Sequence, residues 1–212
     1  MVEEIKNMAN EDLKTKFEEL YNSLMSREGS DKLLEFIRKS DFYKAPASTR
    51  FHGCVEGGLL RHSMLVHACL IAKRSSEVWS PLLMQYTDET LFLVSALHDL
   101  CKTYFYVVDY KNQKVYSDAG TKSDVKGKFD WETVPFYTVD NKYPMGHGEK
   151  SIFFITSCGV VLRAAEWAAI RWHMGYTEPK ENWNDVSAAM EKYPICLALH
   201  EADQEASHIF EI

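Results

Sequence analysis

Between Glu89 and Lys102 the chain runs Thr-Leu-Phe-Leu-Val-Ser-Ala-Leu-His-Asp-Leu-Cys, a helix-length stretch that is apolar on nearly every side. A helix without a polar face cannot lie on a surface, so the rest of the chain must wrap it. The flanking segments suit that task. Leu13, Phe17, Leu20, Tyr21 and Leu24 recur at three- and four-residue steps over Glu11 to Met25, the period of an amphipathic helix. Ser30 is placed to cap a second helix bearing Leu33, Leu34, Phe36 and Ile37. Regularity breaks around Pro46 and Gly53, and Gly57-Gly58 then introduces a run to Lys73 with Leu59, His62, Val66, Cys69 and Leu70 on one face. Ser80-Pro81 reads as a cap and first turn. Further helices are predicted over Gly148 to Cys158, Val160 to Met174 and Asp185 to Ile209, the last bent or restarted at Pro194.

One stretch departs from this pattern. From Thr103 to Asp140 the chain carries Tyr104 to Val108, Lys114 to Tyr116 and Thr133 to Val139, separated by polar residues and glycine, which predicts a small β excursion. Its aromatic residues, Tyr104, Phe105, Tyr106, Tyr110, Tyr116, Trp131, Phe136 and Tyr137, offer stacking surfaces for a base, but packing along one sheet face is the simpler reading. The expected fold class is therefore all-α, a helical bundle in one domain over 1–212, with helices of 1–45 packed on the core and a β-hairpin or sheet insertion at about 103–140.

A chain of 212 residues suits a single compact unit. Its formal net charge of −7 repels polyanions, so a broad duplex-binding face is not expected and any phosphate must be met locally. Five scattered cysteines without C-x-x-C spacing suit reduced thiols, mostly core filler, in a cytoplasmic protein. No stretch approaches a membrane span, and no signal-like segment opens the chain.

The histidines are where chemistry is expected. His62 on an apolar stripe reads, by itself, as a hydrogen-bonded core residue. Asp99 is harder to explain that way: a carboxylate at the end of an almost wholly apolar helix is strongly disfavoured unless it meets a cation or a metal. Asp203 repeats the situation among Leu197, Ala198, Leu199 and Ala202, although Glu201 and Glu205 also suit a solvated face.

The blocks Gly57-Gly58-Leu59-Leu60-Arg61-His62-Ser63 and Ala96-Leu97-His98-Asp99-Leu100-Cys101-Lys102, followed by Asp203, resemble the H…HD…D pattern of the HD-domain metal-dependent phosphohydrolases. They look most like the HD module of the YhaM-type 3′–5′ exoribonucleases, and the resemblance covers about residues 50 to 210. It implies His62, His98, Asp99 and Asp203 as ligands of one divalent ion. His147 and His173 lie in slots whose occupation by histidine, in that family, accompanies a second ion bridged by Asp99. It further implies Lys102 as a phosphate-contacting lysine and His52 as a substrate contact. A lysine at a helix C-terminus is equally expected from the helix dipole, and His52 also suits a plain loop residue. Those exoribonucleases carry a nucleic-acid-binding β-barrel ahead of the module, where this sequence has about fifty helical residues, so short substrates are expected.

Imidazole and carboxylate ligands suit manganese, iron, nickel, zinc or magnesium. Two such ions about 3.5–4 Å apart would activate water and offset charge on a phosphoryl group. The expected activity is thus hydrolysis of a phosphate ester in a nucleotide, cyclic nucleotide or short oligonucleotide. The alternatives are a mononuclear nucleotidase or dNTP hydrolase using only His62, His98, Asp99 and Asp203, with His147 and His173 placing the substrate, and a regulatory module that binds a nucleotide without cleaving it. Arg61 and Arg171 are expected in surface salt bridges, since each sits about 100° around its helix from the neighbouring ligand. His200 is open between supporting a ligand, acting as a leaving-group acid and a core position; His67 and His208 are assigned none.

Overall fold

The computed structural model describes residues 2–50 and 53–211. His52 lies outside the described residues, and with it the substrate contact expected of it. The helices α1 (Val2–Asn7), α2 (Asn10–Leu24) and α3 (Ser30–Lys39) lead into α4 (Gly58–Arg74), the short α5 (Ser80–Leu83) and α6 (Asp88–Leu97). A 3₁₀ turn, Leu100–Lys102, precedes the strands β1 (Tyr106–Tyr116), β2 (Lys122–Asp124) and β3 (Gly127–Val139). The chain returns to helix in α7 (His147–Ser157), α8 (Ala164–Trp172), α9 (Trp183–Lys192) and α10 (Pro194–Glu205), closing on a π-helical turn at Ala206–Phe210. Pro194 opens α10 in its first turn, the position where its missing N–H costs nothing.

The apolar run forms the centre as its composition requires: Thr90 through Leu97 are all buried. It packs against α4, itself buried from Met64 to Leu70, with α8 and α10 completing the wall. Two details differ from the sequence reading. Ser30 is the first helical residue and not the cap; Gly29, at φ 88°, stands ahead of it, and its hydrogen would clash with Gly159 if replaced by a methyl group. And α6 stops at Leu97, so the predicted helix to Lys102 is broken at His98-Asp99.

The β excursion is an antiparallel arm in the order β1-β3-β2, with β1 and β3 paired from Tyr106↔Val139 to Tyr116↔Phe129. The register puts Tyr106, Val108, Tyr110, Tyr116, Phe129, Trp131 and Tyr137 on one face. Much of the face is open, with Tyr110 66% and Trp131 51% exposed, while Phe129 is buried and the Tyr106 hydroxyl donates to Ala47 O.

His67 illustrates how polar atoms are accommodated in this core. Ser95 Oγ donates to Leu91 O (2.6 Å), so it accepts from His67 Nδ1 (2.9 Å). Burial pushes the His67 pKa down to about 4. The unfolded chain takes up this proton near pH 6.5 and the folded one only near pH 4, so stability falls as pH drops between them. The contribution is about 2 kcal/mol lost by pH 5. Urea unfolding at pH 7 and pH 5 is expected to show that extra loss in the wild type and not in His67→Gln, which keeps a donor but does not titrate. Equal losses in both would remove His67 as the source.

Candidate metal centre

Five segments bring the site together. His62 projects from the first turns of α4, and His98 and Asp99 stand at the break after α6. His147 opens α7, His173 follows α8, and Asp203 lies on α10. The rings of His62 and His98 are 5.3 Å apart, those of His98 and His173 4.8 Å, and those of His147 and His173 5.1 Å. Close helix approach makes this possible. A Cβ on Gly148 would lie 2.6 Å from the carbonyl oxygens of Ile170 and Arg171, so only glycine lets the start of α7 rest on the end of α8.

Asp99 is the hub, and its two oxygens face different partners. Oδ2 lies 3.4 Å from His62 Nε2, 3.5 Å from His98 Nε2 and 2.6 Å from Lys102 Nζ. Oδ1 lies 2.7 Å from His147 Nε2, 3.6 Å from His173 Nε2 and 3.9 Å from Cys101 Sγ. Asp203 Oδ1 is 3.2 Å from His62 Nε2. Donor atoms of His62, His98 and Asp203, of His98, Asp99 and His173, and of Asp99, Cys101 and His147 fall within 4.8 Å of one another in each group. These buried clusters are within metal-binding distance and are compatible with a divalent ion.

Whether the donors suit a cation can be tested on their protons. His98 Nδ1 lies 2.7 Å from Ser95 O and His173 Nδ1 2.7 Å from Ile170 O. A carbonyl only accepts, so both Nδ1 atoms carry the hydrogen, and in the neutral ring Nε2 is then the atom that presents a lone pair. Those lone pairs are buried and have no hydrogen-bond partner among the described residues. Burial holds the His98 pKa down at about 3, so this ring stays neutral. An electron-pair donor left unmatched beside a buried carboxylate is costly, and an electron-poor ion is the partner that fits both.

The remaining charge is balanced internally. Burial opposes ionisation of Asp99 and Asp203, yet Lys102 and the hydrogen bond from His147 at Asp99, and His62 beside Asp203, hold both carboxyls well below the usual range. Burial likewise opposes the charged forms of His62 and His147. The carboxylates Asp203, Asp99 and Glu211 around His62, and Cys101 with Asp99 around His147, raise both, His147 to about 10. Lys102 reaches Asp99 because three residues complete one turn of a 3₁₀ helix, which sets i+3 over i.

The expected ligands His62, His98, Asp99, His147, His173 and Asp203 thus converge, with Lys102 among them. Two contributors were not anticipated. Glu211 Oε2 lies 3.2 Å from His62 Nδ1, the orienting carboxylate that metal-binding imidazoles commonly have; no sequence spacing points to it. Cys101 Sγ is 3.4 Å from His147 Nδ1, where the sequence reading expects core filler. The arginines differ from expectation as well. Arg61 donates to Ile5 O, Lys6 O and Met8 O at the end of α1, and Arg171 is buried, paired with Glu149 and Glu178. His200 Nδ1 lies 2.7 Å from His173 O and so supports the backbone of a candidate ligand.

Compared with protein-family models, curated proteins and solved structures, the chain matches none. Among the described residues no helix is long and apolar enough to cross a membrane.

Proposed function

We propose that the chain is a divalent-metal-dependent phosphohydrolase of HD-domain type, cleaving a phosphate ester of a nucleotide, cyclic nucleotide or short oligonucleotide. The observation that carries this reading is the division of labour at Asp99: each carboxylate oxygen faces its own set of imidazoles. His62, His98 and Asp203 with Oδ2 would hold one ion, and His147 and His173 with Oδ1 a second. Bound there, divalent ions supply water activated at neutral pH and positive charge for a phosphoryl group. The protein's part is to hold the donors fixed. Ser95 O, Ile170 O and Glu211 set the orientations of His98, His173 and His62, while Lys102 offers an ammonium to a phosphate oxygen. His147, its side chain 29% exposed, is the most solvent-open of the candidate ligands.

A mononuclear nucleotidase is the second reading, favoured by the self-sufficient trio His62, His98 and Asp203. Elemental analysis separates the two. Wild-type protein purified without chelator is expected to approach two ions per chain and His147→Ala one, with hydrolysis of mononucleotides, cyclic dinucleotides or short oligomers in manganese, iron or nickel lost in the variant. Unchanged stoichiometry in His147→Ala, with only a raised KM, decides for the mononuclear site. No hydrolysis of any of these esters by the metal-loaded wild type rejects both.

A further inference from the structure

Cys101 is 2% exposed and is the sole thiol within reach of the histidine cluster among the described residues. Its sulfur lies 3.4 Å from His147 Nδ1, 3.5 Å from His147 Nε2 and 3.9 Å from Asp99 Oδ1. Its own backbone N–H is fixed by Ser151 Oγ on α7 at 2.9 Å, so the turn carrying it is tied to the helix carrying His147. Beside it the buried Nε2 of His173, with no hydrogen-bond partner among the described residues, points at the same oxygen of Asp99. One nitrogen donor, one carboxylate oxygen and one sulfur thus surround a small volume that a second imidazole lone pair also faces.

The geometry points to Cys101 as a thiolate ligand of the ion held by Asp99 and His147, making this a mixed nitrogen, oxygen and sulfur site. The inference rests on the metal centre proposed above. On binding, the Sγ–H bond breaks heterolytically: the proton passes to solvent and the electron pair remains on sulfur as the donor, with no change of oxidation state. The two positions are then chemically unequal. The His62, His98 and Asp203 set is nitrogen and oxygen only, whereas a thiolate favours zinc, cobalt or ferrous iron over magnesium and manganese.

Cobalt(II) is the probe, since a cobalt–thiolate bond produces a near-ultraviolet charge-transfer band in addition to the visible ligand-field bands that any cobalt site shows. Chelator-treated wild type titrated with cobalt is expected to develop that band, Cys158→Ser to retain it, and Cys101→Ser and Cys101→Ala to lose it while keeping visible bands from the other position. Competition should show zinc affinity falling by more than about tenfold in Cys101→Ser, a loss that even partners outside the ligand set can cause, with manganese affinity little changed. Wild type that binds cobalt with ligand-field bands but no charge-transfer band overturns the assignment of Cys101 and leaves the metal centre standing. A band that survives in Cys101→Ser overturns it in favour of another thiol. Absence of any cobalt binding by wild type overturns the metal centre itself, and the thiolate ligand with it.

Discussion

Replacing Asp99 by asparagine is expected to strip the protein of metal and to lower phosphate-ester hydrolysis by about a thousandfold or more, roughly 4 kcal/mol of transition-state stabilisation. The substitution keeps the volume and removes the charge shared by five neighbours. Both oxygens are committed, Oδ2 toward His62, His98 and Lys102 and Oδ1 toward His147 and His173. A neutral amide would leave the Lys102 ammonium without its counter-charge and place cations beside one another. Elemental analysis with steady-state kinetics checks it, and circular dichroism confirms that the helices remain. An Asp99→Asn protein that kept its full complement of ions would remove the hub role.

The second large effect lies far from the site. Arg27, in the loop between α2 and α3, makes two parallel bonds to Glu166, both 2.8 Å, and a third to Glu89 at 3.1 Å. Glu166 is fully buried and also accepts from Thr90 Oγ1 and the Arg163 N–H. Burial alone would raise its pKa; Arg27, Thr90 and the Arg163 amide outweigh that and hold it low. Removing one member of a buried pair strands the other, at a cost of about 3–5 kcal/mol, a large fraction of a typical domain's stability. Arg27→Met is expected to lose that much at pH 7. In the wild type the folded Glu166 pKa is depressed, so its contribution is present above the carboxylate range and fades as pH falls through it. In the variant the stranded carboxylate can be protonated, so the deficit narrows toward pH 5. Urea unfolding at the two pH values measures both, and a loss under 1 kcal/mol at pH 7 would mean that the network is dispensable.

Much of this was legible because burial writes itself into the sequence as periodicity. Leu13, Phe17 and Tyr21 are buried on α2, and Leu33, Leu34 and Ile37 on α3, as their three- and four-residue spacing predicts. Asp99 announced itself as a carboxylate in an apolar setting. The misreadings share a cause, since nothing in composition marks where a helix stops for tertiary reasons. The break at His98-Asp99, where Asp99 takes φ −102° and ψ 18°, is the sparsely populated conformation in which site residues often sit. It opens the 3₁₀ turn that carries Cys101 and Lys102. Glu211 was hidden for a different reason, arriving from a turn beyond α10 whose path is set by packing. The arm was recognised as strand, yet alternation alone does not reveal whether a face will find a partner, and here Tyr106 reaches Ala47 O while Tyr110 and Trp131 stay exposed.

The contact between Lys102 and Asp99 also bears on how such a protein is made. A lysine ammonium, two charged imidazoles and the surrounding carboxylates already cancel one another, so the polypeptide can reach its final shape with its acidic hub satisfied. In this respect it differs from a zinc finger, where the ion is the keystone and its removal collapses the arch. For the metal centre proposed above, this implies two separable stages: a chain that folds around its own salt bridge, and an ion loaded afterwards.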